Sequence, residues 1–305
     1  MLLGTALIPA GTLISTTQTF AETGPPKMSK FRYSLNFGTL LGFKLSVEEK
    51  IDLAAKAGYD AIEPWVRDLD AYKKQGKNPA DLKKRIEDHG LTVAGACAFF
   101  HWIGDDEELR SKGIEQMKQE MEICREIGCT RIAATAAGTT NKRLDDFKTL
   151  GERYRTILEI GEKEGVIPQL EVWGASQTMN CLADVTAIAV HAGHSHAELL
   201  LDVYHLYRGG SPFDGLSMLN GRKMPNFHVN DYPADPPREQ AKDADRVYLG
   251  DGIAPLKKIL QTLLDIGFDG TLSFEVFNPT YWATNDPMLV AQTGLEKMKA
   301  VVDGL

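Results

Sequence analysis

From Phe31 to the C-terminus, short apolar runs alternate with stretches whose hydrophobic positions recur at helical spacing, and a glycine precedes many of the apolar runs. Such alternation predicts repeated βα units, each a buried strand handing the chain to a surface helix. Strands are expected to begin near Phe31, Tyr59, Leu91, Thr130, Val166, Ala197, Met224 and Phe268. Eight units close a barrel, so the pattern predicts an α/β chain with a single (β/α)8 TIM barrel over 28–305. The expected helix ends agree with it. Ser46-Val-Glu-Glu49 reads as a capping box opening a helix that stops at Ala57-Gly58, and the stretch from Pro79 to His89-Gly90 has proline at its start and glycine after its end. Gly128, Gly165, Gly193 and Gly267 each stand just before a strand, where the helices return the chain to the lower rim.

Some of these strands carry an unexpected residue. Four apolar runs are interrupted near their ends by a titratable side chain: Glu171 after Gln169-Leu170, Asp202 after Leu199-Leu-Leu201, His228 after Phe227 and Glu275 after Phe274. Burying one such group unpaired costs several kcal/mol, so four on separate strands call for a shared partner, and a divalent cation is the simplest. Asp202 alone would also read as a helix N-cap, but glutamate caps poorly, so Glu171 and Glu275 resist that reading. All four fall at carboxyl ends of strands, the face on which barrels place their sites. Three carboxylates and an imidazole form a hard donor set, suited first to Mn2+, with Mg2+, Co2+ or Zn2+ as alternatives.

The spacing from 171 to 202 is 31 residues and from 202 to 228 is 26, close to one βα unit each, whereas 228 to 275 spans 47. The seventh unit therefore carries an insertion, the Pro-rich loop from Asp231 to Gly252, and long ordered loops above a barrel are usually functional. His191, His194 and His196, the densest histidine run, fall between a helix end and a strand start, on the opposite rim, and are read as loop. Trp65, Trp102 and Trp173, together with Glu63 and His101, fall where strands end and are the candidates for contact with a substrate. Apolar ring faces suit the C–H surface of a sugar.

Composition narrows the function further. With 305 residues, 43% of them hydrophobic and 25% charged, the chain can bury a large core. A net charge of −8 provides no basic footprint for nucleic acid. Cys97, Cys124, Cys129 and Cys181 lack paired zinc spacing and read as free thiols. Residues 1–27 are apolar and Thr-rich up to Phe20, too short and broken to span a bilayer, and are expected to be either a signal-like leader or a disordered extension. The first reading places the protein outside the cytoplasm, in the periplasm or beyond; the second leaves it cytoplasmic. No glycine-rich phosphate loop is evident.

With Glu171, Leu201-Asp-Val-Tyr-His205, Phe227-His-Val-Asn230 and Ser273-Phe-Glu-Val276 in view, residues 31–305 resemble the xylose-isomerase-like TIM-barrel superfamily, in its sugar phosphate isomerase/epimerase branch. The resemblance implies that Glu171, Asp202, His228 and Glu275 bind one divalent metal, that the two glutamates also shuttle a proton, and that His205 and Arg246 hold substrate oxygens. The chain departs from the ketose epimerases after His228-Val229, where Asn230-Asp231-Tyr232 replaces their usual Gly-Glu, and it lacks the many histidines of endonuclease IV. The expected activity is isomerisation or epimerisation of a sugar by proton abstraction next to a carbonyl, through a metal-stabilised enediolate. Two alternatives stay open: a metal-dependent lyase acting on a 3-keto-glycoside or keto-inositol, and a non-catalytic sugar-binding barrel. The expected partner is a small carbohydrate, without nucleic acid or a membrane span; assembly into a homo-oligomer is left open.

Overall fold

Side chains along a strand alternate between its two faces, and here the alternation separates a polar barrel interior from an apolar jacket. The computed structural model describes Met1 and residues 31–305, so the expected leader, beyond Met1, lies outside the described residues. The strands are β1 (Arg32–Asn36), β2 (Ala61–Glu63), β3 (Thr92–Val93), β4 (Arg131–Ala134), β5 (Ile167–Glu171), β6 (Leu199–Asp202), β7 (Asn226–Val229) and β8 (Thr271–Phe274). Each starts close to its expected position; the widest gap is Phe268 against Thr271. Between and after them run α1 (Val47–Ala57), α2 (Val66–Lys74), α3 (Pro79–Asp88), α4 (Glu107–Glu126), α5 (Phe147–Glu164), α6 (Leu182–Ala192), α7 (Val203–Arg208), α8 (Leu256–Asp265), α9 (Pro279–Trp282) and α10 (Pro287–Asp303).

All strand pairs are parallel, in the order β3-β2-β1-β8-β7-β6-β5-β4. Three residues past β3, Ala96 closes the ring onto β4. Ala96 N donates to Arg131 O at 3.1 Å and Ala96 O accepts from Ala133 N at 2.9 Å. The fold is the expected TIM barrel.

Helix boundaries follow the local sequence. Ser46 caps α1 in a complete capping box with Glu49, and Asn78 caps α3 with Pro79 at its first position. α5 and α6 end on Gly165 and Gly193, whose φ angles of 74° and 55° lie in the left-handed region that disfavours residues with a Cβ. No helix among the described residues is long and apolar enough to cross a membrane.

Leu35, Leu170, Phe227, Leu272 and Phe274 belong to the apolar core. Alternating with them along the strands are Ser34, Asn36, Gln169, Asn226, His228 and Ser273, all buried. Strand register brings this second set together: Asn36 stands opposite Glu63, Asp202 opposite His228, and His228 opposite Ser273.

The insertion after β7 is organised by one side chain. Asp231 accepts the N–H groups of Tyr232 (2.8 Å), Gly250 (3.0 Å), Gly252 (3.1 Å) and Ala254 (2.9 Å). Its backbone also exchanges both hydrogen bonds with Val247. A Cβ at residue 252 would meet Asp231 Oδ1 at 2.3 Å, so this close approach requires glycine. The loop is thereby fixed above the barrel, with Arg246 on its inner side.

Candidate metal centre

Glu171 ends β5, Asp202 ends β6, His228 lies in β7 and Glu275 follows the last residue of β8. All four are buried. Asp202, His228 and Glu275 each present one ligand atom, and these atoms lie within 4.8 Å of one another. Glu171 lines the same cavity but does not join that tight group. Nδ1 of His228 stands 3.9 Å from Asp202 Oδ2 and 3.5 Å from Glu275 Oε2, and it is buried without a hydrogen-bond partner. A buried, unsatisfied ring nitrogen facing two carboxylates is what a cation ligand requires.

The other ring nitrogen is occupied. Nε2 contacts Glu63 Oε1 at 3.0 Å and Oε2 at 2.9 Å. Glu63 also accepts Asn36 Nδ2 (2.8 Å), Asn226 Nδ2 (2.7 Å) and Ser273 Oγ (2.6 Å). These four donors use up its carboxylate lone pairs. Glu63 therefore lies beneath the centre as an anchor for His228 and does not line the cavity, which corrects its expected role in meeting substrate. Burial opposes its charge, yet His228 and the neutral donors hold its pKa below the usual range.

The centre carries an excess of negative charge, and each titratable group responds to it. Burial pushes Glu171 up to about 8, helped by Glu275, Glu63 and Asp202 and opposed by His228. Burial also raises Glu275, against His228 and Arg246. For His228, burial disfavours the cation, but Glu63, Glu275 and Glu171 outweigh it and lift its pKa well above the ordinary value. All three shifts favour more positive charge in the cluster, so the donor set fits a divalent cation.

Arg246 supplies part of that charge. Its Nη1 donates to Glu275 Oε2 at 2.7 Å and Asp202 Oδ2 at 3.3 Å, and its Nη2 to Asp243 Oδ1 at 2.6 Å. Nη2 also lies 3.0 Å from Nε2 of His205. Burial and Arg246 lower the His205 pKa to about 4, which keeps the ring neutral. Asp202 serves two purposes. Its Oδ1 accepts His205 N–H at 2.7 Å as the N-cap of α7, while its Oδ2 faces Arg246 and accepts Asn230 Nδ2 at 2.9 Å. Burial opposes ionisation of Asp202, but Arg246 and the two histidines win and its pKa falls.

Above these groups opens a cavity of about 590 Å3, with Glu171, His205, Arg246 and Glu275 in its lining. Trp65 and Trp173 line it. Trp102 and His101 do not, a second correction. Trp102 is fully buried, its ring against Tyr154 and its Nε1 donating to Thr135 O at 2.8 Å, and His101 is exposed beside Gly138. Asn230 and Asp243 complete the surroundings of Asp202 and Arg246. Asn230 showed its polarity directly after a strand, whereas Asp243 stands in a loop with no periodic signal.

Comparison with known proteins places this geometry in context. The sequence pattern of the xylose isomerase-like TIM barrel family matches residues 51–301. The inosose isomerase of Bacillus velezensis is 29% identical over 262 residues, covering 84% of this chain and 92% of that enzyme. The 3-dehydroshikimate dehydratase of Pseudomonas aeruginosa is 27% identical over 78% of this chain and 37% of its own length. Among solved structures, the IolI protein with a bound zinc atom superposes with a TM-score of 0.81 at 25% identity, covering 90% of this chain and 98% of that one.

Proposed function

The chain belongs to the xylose isomerase-like TIM barrel family, and from that premise we propose that it is a divalent-metal-dependent isomerase or epimerase of a keto-sugar or keto-inositol. The observation that carries the proposal is the orphaned Nδ1 of His228, turned toward Asp202 and Glu275 under a cavity of sugar-accommodating size. Asp202, His228 and Glu275 would hold the cation, and Glu171 is the fourth ligand. Mn2+ suits the oxygen-rich set, and the zinc of IolI makes Zn2+ the second cation to load. The bound ion would act as a Lewis acid toward the substrate carbonyl.

The protein's own groups then divide the proton work. Burial raises the Glu275 pKa against the Arg246 guanidinium 2.7 Å away, and Glu275, on the cavity wall, is assigned as the base that removes the proton beside the carbonyl. Glu171, at the end of β5 and in the lining of the same cavity, is assigned as the second carboxyl, the one that returns it. Delivery to the opposite face gives epimerisation; delivery to the neighbouring carbon gives isomerisation. His205, neutral, and Arg246, always charged, are placed to hold the oxygen on which charge develops.

The test is incorporation of solvent deuterium next to the carbonyl across a panel of ketohexoses, inososes and 3-keto-glucosides, with chelated, Mn2+-loaded and Zn2+-loaded protein. Exchange that requires the ion and is lost in Glu275→Gln supports the reading; wild-type exchange in that variant removes Glu275 from the proton path. Any exchange at all rejects a non-catalytic sugar-binding barrel. The likeness to a dehydratase favours a second reading, elimination after the same proton abstraction. Release of aglycone from a 3-keto-glucoside without epimer formation would select it.

A further inference from the structure

The cavity has two distinct zones. Its buried lining groups, Glu171, His205, Arg246 and Glu275, are polar and surround the candidate centre. Its more accessible lining includes the rings of Trp65, Phe99, Trp173 and Phe277, beside Ala175, Asp243, Ala244 and Pro279. Phe99 is 37% exposed and touches two indoles, 5.1 Å from the Trp65 ring and 5.9 Å from the Trp173 ring, with Phe277 6.1 Å from Trp65. The Trp65 indole N–H is already committed to Asn36 Oδ1 at 3.1 Å, so the ring is held in place and offers the cavity no donor there. The Arg67 guanidinium lies over the Trp65 ring, 4.3 Å from its centroid, and Phe99 is the ring of this wall left open to water, an apolar surface that gains when a flat apolar group covers it.

Size points the same way. A bare hexose or inosose has only about a dozen non-hydrogen atoms, whereas cavities of roughly 300–1,000 Å3 hold drug-sized ligands. At about 590 Å3, this one has room beyond the sugar. A sugar whose carbonyl and hydroxyls meet the buried polar groups leaves the ring-lined zone to whatever the sugar carries. Resting on the keto-sugar reading above, we propose that the substrate is a keto-sugar bearing a planar, uncharged aromatic substituent, and that Phe99 is the residue that selects for that substituent.

The experiment compares methyl and phenyl 3-keto-β-D-glucopyranoside on the full-length, Mn2+-loaded protein, following binding by calorimetry and turnover by deuterium exchange. The phenyl compound is expected to bind about tenfold or more tighter, and Phe99→Ala to shrink that ratio severalfold while Phe99→Tyr preserves it. Equal affinities, binding of neither compound, or a ratio that survives in Phe99→Ala overturns the proposal. The two readings fail separately. A phenyl preference without exchange sinks the proton-transfer mechanism and leaves the substrate class standing, whereas exchange of both compounds at equal affinity does the reverse.

Discussion

Glu63 Oε1 lies 3.0 Å from Nε2 of His228, and this contact turns the opposite ring nitrogen toward Asp202 and Glu275. Asn36 of β1, Asn226 of β7 and Ser273 of β8 hold the Glu63 carboxylate in place, so the imidazole is oriented by a rigid acceptor. A histidine ligand is useful only if the proton is on its far nitrogen, and Glu63 fixes it there.

Glu63→Gln should therefore weaken Mn2+ and Zn2+ binding by about 10–100-fold, the usual cost of removing the partner of a ligating histidine. Calorimetric titration measures the affinity, and 15N chemical shifts of His228 report which nitrogen carries the proton. Unchanged affinity with an unchanged tautomer would show that Glu63 is only filling space.

Arg246 is 1% exposed and joins two buried carboxylates. Replacing it with methionine leaves Asp202 and Glu275 charged and uncompensated, which should cost about 3–5 kcal/mol in chelated protein. Adding Mn2+ should recover much of that loss, since a divalent ion supplies the missing charge to the same oxygens. Thermal melts with and without the ion test this, and a melting temperature indifferent to the ion would argue against a cation at those carboxylates.

Glu171 provides a pH signature. Its folded pKa of about 8 exceeds the ordinary 4.5, so the folded chain holds a proton that the unfolded chain has released. Its contribution to stability is full below about pH 4.5 and is lost as pH rises through about 8. Chelated wild-type protein should thus lose melting temperature across that window relative to Glu171→Gln, which has no proton to give up. Parallel profiles for the two proteins would falsify the raised pKa.

Asp231→Ala would strip an acceptor from the N–H groups of Tyr232, Gly250, Gly252 and Ala254. The loss should reach about 1–3 kcal/mol, the cost of leaving buried polar groups unpaired, with cleavage by added protease appearing between residues 232 and 254. Asp231→Asn keeps an acceptor oxygen and should lie between the two. A protease-resistant Asp231→Ala would show that the backbone exchange with Val247 holds the loop without the carboxylate.

The barrel and the convergence of Asp202, His228 and Glu275 were legible in the sequence because both depend on local signals. Period and glycine placement mark the units, and a charged residue closing an apolar run marks an inward position at a strand's upper end. Asp202 was legible in two ways, as helix cap and as site residue, and its two oxygens satisfy both. Strand-end position alone does not say how deep a side chain lies, so it does not separate Glu63 and Trp102, which lie off the cavity, from Trp65 and Trp173, which line it. The Glu63 environment is created by Asn36, Asn226 and Ser273, which are distant in sequence and meet only when register is set. Asp243 is not legible for a related reason: its place beside Arg246 comes from the fold of the loop that follows Asp231.

The excursion that follows β7 leaves and rejoins the barrel on the same aspartate, with Arg246 carried between its anchors. Anyone grafting it onto a sister scaffold to alter its chemistry would have to move 231 through 254 as an indivisible cassette. A crossover inside that stretch would part the guanidinium from the carboxylates it serves, so inheritance should favour exchanging the segment whole.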